Sequence, residues 1–157
     1  MIISISGTPG TGKTEVAKAL SERLGWQLVE LNKVAEEKGL YAGYDEGRKC
    51  KIVDVDGVKK EIENLCKSRR NLILESHYSQ DIPCDAVVIL RANPGELRRR
   101  LMDRGWTRRK IEENIQSEIM EVCKSDALEQ GRNVLEIDTT GKTARVIAEE
   151  IGNKLKF

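Results

Sequence analysis

No apolar run in this 157-residue chain approaches the roughly 20 residues that a helical bilayer span requires, which excludes an integral membrane protein of that kind. Charge of one sign is lacking too. The chain has 27 Lys and Arg against 26 Asp and Glu, a formal charge of +1, so the overall balance points to no partner and only its distribution could. Cysteine is sparse: Cys50, Cys66, Cys84 and Cys123 form no CxxC pair, and the single histidine, His77, is near none of them in sequence. A zinc site and a disulfide framework are both disfavoured by that spacing, and reduced thiols in a cytoplasmic protein are expected. Repeats, low-complexity tracts and linkers are absent, so residues 1–157 are expected to form one domain. The opening Met1–Gly7 has no basic n-region and breaks at a glycine, and it reads as a buried strand rather than a secretory leader. Few apolar stripes exceed what one core needs, so a monomer is expected.

What is present is an alternation of apolar runs and helical patterns. Ile2–Ser6, Trp26–Val29, Asn71–Glu75, Asp85–Leu90 and Val134–Ile137 read as five strands. Their continuous rather than alternating apolar character suits strands buried on both faces, as in a parallel sheet. Helices are predicted over Thr14–Leu24, Lys33–Lys38, Val58–Cys66, Pro94–Asp103 with Asn93 as its cap, and Lys142–Leu155. Thr107 to about Leu128 reads as one long amphipathic helix with Ile111, Ile115, Ile119 and Val122 on one face. Tyr41–Lys51, rich in glycine and charge, reads as a loop. The fold class is α/β and doubly wound.

The most specific feature is Gly7-Thr8-Pro9-Gly10-Thr11-Gly12-Lys13-Thr14, a complete G-x-x-x-x-G-K-[ST] between a strand and an amphipathic helix. Its glycines let successive N–H groups converge on an anion, and the positive end of the following helix adds to the field. Lys13 would reach the β- and γ-phosphates of ATP, and the Thr14 hydroxyl would coordinate Mg²⁺. The glycine spacing does not fit G-x-G-x-x-G, which disfavours a dinucleotide loop. A regulatory GTPase is disfavoured as well, because Asn32-Lys33-Val34-Ala35 lacks the aspartate of a guanine-reading NKxD. A small P-loop phosphotransferase remains.

Two segments look like insertions over its cleft. Residues from about Glu30 to Val53 have the composition of an acceptor-binding flap, and equally of a solvated loop. Arg91–Lys110 carries eight cations against two anions. Arginines from a closing lid stabilise the charge spread over a moving phosphoryl group. Arg104, at a helix end beside Gly105, is the first candidate for that role and Arg100 the second; a solvated face and an RNA-binding patch are the competing readings. Glu75 and His77 leave a strand at the end that lines the ligand crevice. Glu75 could hold Mg²⁺ through water, and His77 could orient a water, contact an acceptor, or be structural. Trp26 is expected in the core, while Trp106 stands between packing and base stacking. Lys142 follows a strand end where adenine is often bracketed, and could contact the base or be solvated.

With these residues assembled, the chain resembles the archaeal and eukaryotic adenylate kinase isoenzyme six family. The resemblance covers nearly the whole length. It rests on the phosphate loop, on Leu40–Glu46 and Cys50–Asp56, on Arg100-Leu101-Met102-Asp103-Arg104-Gly105-Trp106, and on Glu113–Ile119. It implies a P-loop NTPase fold of the nucleoside monophosphate kinase type, a five-stranded parallel sheet flanked by helices with a short lid. Gly10, Gly12, Lys13, Thr14 and Glu15 would bind the phosphates of ATP, and Arg104 and Lys142 would contact the nucleotide. About 30–53 would bind the monophosphate, and about 103–113 would form the lid. The resemblance further implies transfer from MgATP to AMP, weak ATP hydrolysis, and a ribosomal protein of the small-subunit platform as partner, with rRNA contact possible through the basic segment. Assembly ATPase with incidental kinase turnover is the alternative, and a nucleoside or sugar-acid kinase a third. Where the family has Asp-x-His after the third strand, this chain has Glu75-Ser76-His77, one methylene longer at the carboxylate.

Overall fold

In the computed structural model, which describes residues 1–157, strand β1 (Ile2–Ser6) lies at the centre of a five-stranded parallel sheet. The sheet order is β2 (Gln27–Glu30), β5 (Leu72–Glu75), β1, β6 (Ala86–Arg91), β7 (Val134–Asp138). Ile3 pairs with Ile73 on one side and Ala86 on the other, so β1 has no free edge. The inner strands are buried on both faces, which is why their sequences are unbroken apolar runs.

Alternate residues divide between two layers. Ile3, Ile5, Ile73, Val88 and Leu90 pack under helices α1 (Lys13–Leu24) and α7 (Ala144–Leu155), through Val16, Leu20, Ile147 and Ile151. Leu72 and Leu74 face the other way, against α2 (Leu31–Lys38) and α3 (Val55–Ser68). Val87 and Ile89 are covered on that side by Ala127 of α6 (Val122–Glu129). A smaller core of Leu97, Leu101, Ile111 and Ile115 joins α4 (Pro94–Asp103) to α5 (Arg108–Ile119). Each such apolar side chain contributes about 1.5–3 kcal/mol on burial. As expected, Asn93 caps α4, accepting from the Gly95 amide at 2.9 Å.

Two expectations are corrected. The 41–51 stretch is not a loop but an antiparallel hairpin, β3 (Tyr41–Asp45) with β4 (Cys50–Val53). Its turn is set by the Arg48 amide donating to Asp45 Oδ1 at 2.9 Å and by Lys49 in the left-handed region. It lacks an apolar alternation because most of its residues are exposed, and only Tyr41 and Val53 at its base pack against the core. The base closes where the Asp54 amide meets the Leu40 carbonyl at 3.0 Å. Second, the long helix over 107–128 is two helices, α5 and α6, separated by Glu121 at φ 55°. The buried face of α5 is therefore Ile111, Ile115 and Glu118, whereas Ile119 and Val122 are exposed. Trp26 packs against the core under α1 and α7, half-buried, and edge-on to Phe157 with ring centres 5.0 Å apart.

Candidate functional site

The phosphate loop leaves the carboxyl end of β1 and enters α1. Gly12 caps that helix at φ 89°, a conformation that side chains with a Cβ rarely adopt. Gly10 is needed for room as well: a Cβ there would lie 2.7 Å from Leu97 Cδ1 of α4. The first intrahelical bond of α1 runs from the Val16 amide to the Gly12 carbonyl, which leaves the amides of Lys13, Thr14 and Glu15 free for an anion. The Glu15 side chain itself faces solvent.

Lys13 is buried, and its ammonium donates to the Thr8 carbonyl at 3.2 Å. Burial pushes its pKa down, with the Glu75 carboxylate opposing. Thr14 Oγ1 donates to Glu75 Oε2 at 3.4 Å, so the two expected metal-side oxygens do converge. Burial pushes the Glu75 pKa up, Lys13 pulls it back, and Glu30, its register partner on β2, adds to the rise. His77, beyond the end of β5, is exposed, with its ring edge-on to Tyr78. The protein packed behind the ring, and then the Lys13 charge, hold its pKa below the ordinary value. Lys13, Thr14, Glu75 and His77 thus lie together, and the three titratable groups among them have displaced pKa values.

The two lid candidates differ in what they touch. Arg100 Nη1 donates to the Gly10 carbonyl at 3.1 Å while pairing with Glu96. Arg104 caps the end of α4, is exposed and makes no ion pair, although its charge reaches Lys13. Lys142 is not brought to the loop: its ammonium is 2.9 Å from Glu150 of α7. Beyond the ends of β6 and β7 lies an open polar cleft of about 370 Å³ lined by Arg91, Asn93, Asp138 and Thr140 among others. It occupies the strand-end position expected to bracket a base.

The basic stretch is less basic in space than along the chain. Arg91 pairs with Glu118, Glu121 and Glu136, Arg98 with Glu112, Arg99 with Asp103, Arg100 with Glu96 and Arg109 with Glu113. Most of those carboxylates lie outside the Arg91–Lys110 window. Lys110 sits 3.8 Å over the Trp106 ring, which itself packs on the Leu97–Ile115 core. Only Arg104 and Arg108 remain without a charge or ring partner. The hairpin tip reaches α5 through Arg48, 3.5 Å from Glu113.

Sequence reasoning missed Thr8, Arg91 and Glu118 as a group. Glu118 accepts from the Thr8 hydroxyl at 2.6 Å, from Arg91 Nε at 2.6 Å and from the Ala92 amide at 3.1 Å. The available signal was a carboxylate at the third position of an apolar helix face. Beneath the loop, Ser6 Oγ donates to Gln80 Oε1 at 2.5 Å and Ser4 Oγ to Ser79 Oγ at 2.7 Å, buried polar bonds of the same unforeseen kind.

Residues 3–121 match a family described as an AAA domain. A protein of Thermococcus onnurineus named "Putative adenylate kinase" is 42% identical over 156 residues, spanning 99% of this chain and 84% of its own. Proteins of the same name from Pyrococcus furiosus and Methanosarcina barkeri are 42% and 40% identical, over 98% and 96% of this chain. They span 83% and 84% of those proteins. Among solved structures, a deoxyadenosine kinase from M. mycoides is 17% identical with a TM-score of 0.64, covering 99% of both chains. A shikimate kinase from Bacteroides thetaiotaomicron is 14% identical with a TM-score of 0.66, covering 100% of this chain and 99% of its own. These two show that the fold is that of small P-loop kinases.

Proposed function

Because the chain belongs to the AAA-domain family and to the family of those archaeal proteins, we propose that it is an adenylate kinase, converting ATP and AMP into two ADP. The observation that carries this reading is the complete phosphate loop at the end of β1, whose Thr14 meets Glu75 at 3.4 Å.

The chemistry asks mainly for positioning and charge. An oxygen of the AMP phosphate attacks the γ-phosphorus, the bond from that phosphorus to the β,γ-bridging oxygen breaks, and both products are ADP. The phosphoryl group passes through a loose transition state, stabilised by the groups around it. Lys13 would keep one N–H on the Thr8 carbonyl and turn its other donors to the β- and γ-phosphates. Arg100 already braces the loop, and unpaired Arg104 is free to reach the transferring group. Hard oxygen donors suit Mg²⁺: Thr14 and Glu75 would hold it, with water completing its shell, and when bound it would screen the phosphate charge. Residues 30–53, with the hairpin, would seat the monophosphate, and about 103–113 would close over the donor.

His77 supports accompanying slow hydrolysis. Its lowered pKa keeps it neutral near neutral pH, and, being exposed, it could orient a water. The small-subunit ribosomal partner implied by the resemblance would act through that rate. The ion pairing of the basic segment weighs against rRNA as the main ligand.

The test is chromatographic separation of nucleotides after incubating the purified chain with Mg²⁺ and ATP, with and without AMP. ADP formation that requires AMP, at about 1 s⁻¹ or faster and abolished by Lys13→Ala, supports transfer to AMP. Slow ADP formation indifferent to AMP overturns it and leaves hydrolysis or another acceptor.

A further inference from the structure

Glu118 breaks the pattern of its own helix. The buried face of α5 runs Ile111, Ile115, Glu118, and a carboxylate only 3% exposed stands where a third apolar side chain belongs, while Ile119 beside it is 55% exposed. Burying a carboxylate is unfavourable unless both oxygens are met. Here they are. Oε2 takes the Thr8 hydroxyl, and Oε1 takes Arg91 Nε and the Ala92 amide. Arg91 Nη2 also donates to the Glu118 carbonyl at 2.9 Å. Packing alone does not ask for this arrangement, since a leucine would complete the face with the two isoleucines. Local rules broken at a buried position mark functional constraint.

The constraint lies in what Thr8 does. Its hydroxyl is tied to α5, and its carbonyl accepts from Thr11 Oγ1 at 2.8 Å and from the Lys13 ammonium at 3.2 Å. One residue thus connects the helix that follows the lid to the lysine that meets the phosphates. Arg91 extends the connection to the end of β6 and, through Glu121, to the joint between α5 and α6.

We propose that Glu118 is a positioning residue for ATP. By holding the Thr8 hydroxyl it fixes the Thr8 carbonyl that orients Lys13, and it couples the seating of α5 to the geometry of the phosphate loop. The inference rests on the loop's binding ATP, as in the kinase reading, but not on the identity of the acceptor. A purely structural Glu118, neutralising Arg91 and nothing more, is the rival.

The experiment compares the full chain with Thr8→Val, which removes the hydroxyl at nearly constant shape, Glu118→Met, the double variant, and Thr8→Ser. MgATP dissociation constants, the KM values for ATP and AMP, and melting temperatures are measured for each. A hydrogen bond to a charged group is worth about ten-fold in an equilibrium. Thr8→Val and Glu118→Met should each weaken ATP by that factor, leaving KM for AMP unchanged. The double variant should weaken it no further than Glu118→Met alone, in which the bond to Thr8 is already broken. Thr8→Ser, which restores the donor, should return to within about three-fold of the parent. ATP affinity within about two-fold of the parent in Thr8→Val, or single effects that add in the double variant, overturns the proposal. If Glu118→Met does not fold, Thr8→Val against Thr8→Ser decides alone. Because ATP binding is measured without acceptor, a parent chain that binds ATP but shows no AMP-dependent turnover fails the adenylate kinase reading and still tests Glu118.

Discussion

Arg100 reaches across from α4 to the carbonyl of Gly10, 3.1 Å away, so α4 is fastened to the phosphate loop. Arg104, one turn further, is fastened to nothing. The two arginines should therefore fail differently. Arg100→Ala should lower stability by about 1 kcal/mol and weaken ATP binding. Arg104→Ala should melt like the parent and lose about 10²-fold in kcat. Thermal melts beside initial rates separate the two, and a Tm drop in Arg104→Ala would contradict the assignment.

Lys13 is held in the loop at a cost to folding, since burial disfavours its charged form. Lys13→Met removes that cost and the phosphate contact together. Its Tm should rise while ATP turnover falls at least about 10²-fold, and a melt with an activity assay checks both.

Glu75 should give a pH-dependent version of the same trade. Its folded-state pKa is raised, so from the ordinary carboxylate range up through the raised value the unfolded chain ionises more readily and stability falls with pH. Glu75→Gln should therefore be more stable than the parent near pH 7 and lose the advantage at about pH 4, with metal-dependent activity reduced. Denaturant titrations at both pH values test it; an advantage equal at both would rule out this origin.

His77 runs the other way in acid. Its pKa is lowered, so as pH falls through about 6.5 the unfolded chain binds a proton that the folded one refuses, and stability declines until the folded value is passed. His77→Gln should flatten that limb of the stability profile. It should also reduce ATP hydrolysis more than AMP-dependent transfer if the ring orients water.

Gly10 and Gly12 should separate crowding from backbone conformation. Gly12→Ala meets no atom within 4 Å, so only its φ of 89° is strained, at about 1–2 kcal/mol. Gly10→Ala adds a collision with Leu97, and should cost more and loosen α4 from the loop. Equal melting temperatures for the two variants would refute that reading.

The central strands were readable because double burial writes itself as unbroken apolar runs, as at Leu72–Leu74 and Val87–Leu90. The phosphate loop was readable because its backbone demands glycines at fixed spacing. The hairpin was not, since only Tyr41 and Val53 at its base meet the core and the exposed positions between them impose no alternation. The break after Ile119 was hidden because Ile119 and Val122 continue the apolar series in sequence while the chain turns at Glu121. The Arg91 and Glu118 contacts join positions far apart along the chain, and no local pattern encodes them. Arg104 and Arg100 could be named as a pair, but which one touches the loop depended on the angle at which α4 crosses Gly10.

The hairpin's position has a consequence for how such a protein can change. It stands outside the main sheet, closed at its base by the contact between Asp54 and Leu40, with one ion pair to the body at Glu113. Substitutions at Tyr44, Lys51 or Ile52 therefore touch almost none of the buried interior, and most should leave the folding equilibrium within about 0.5 kcal/mol. Under the proposed role of residues 30–53, acceptor preference would change through exposed positions of the hairpin while the phosphate loop and its core stay as they are.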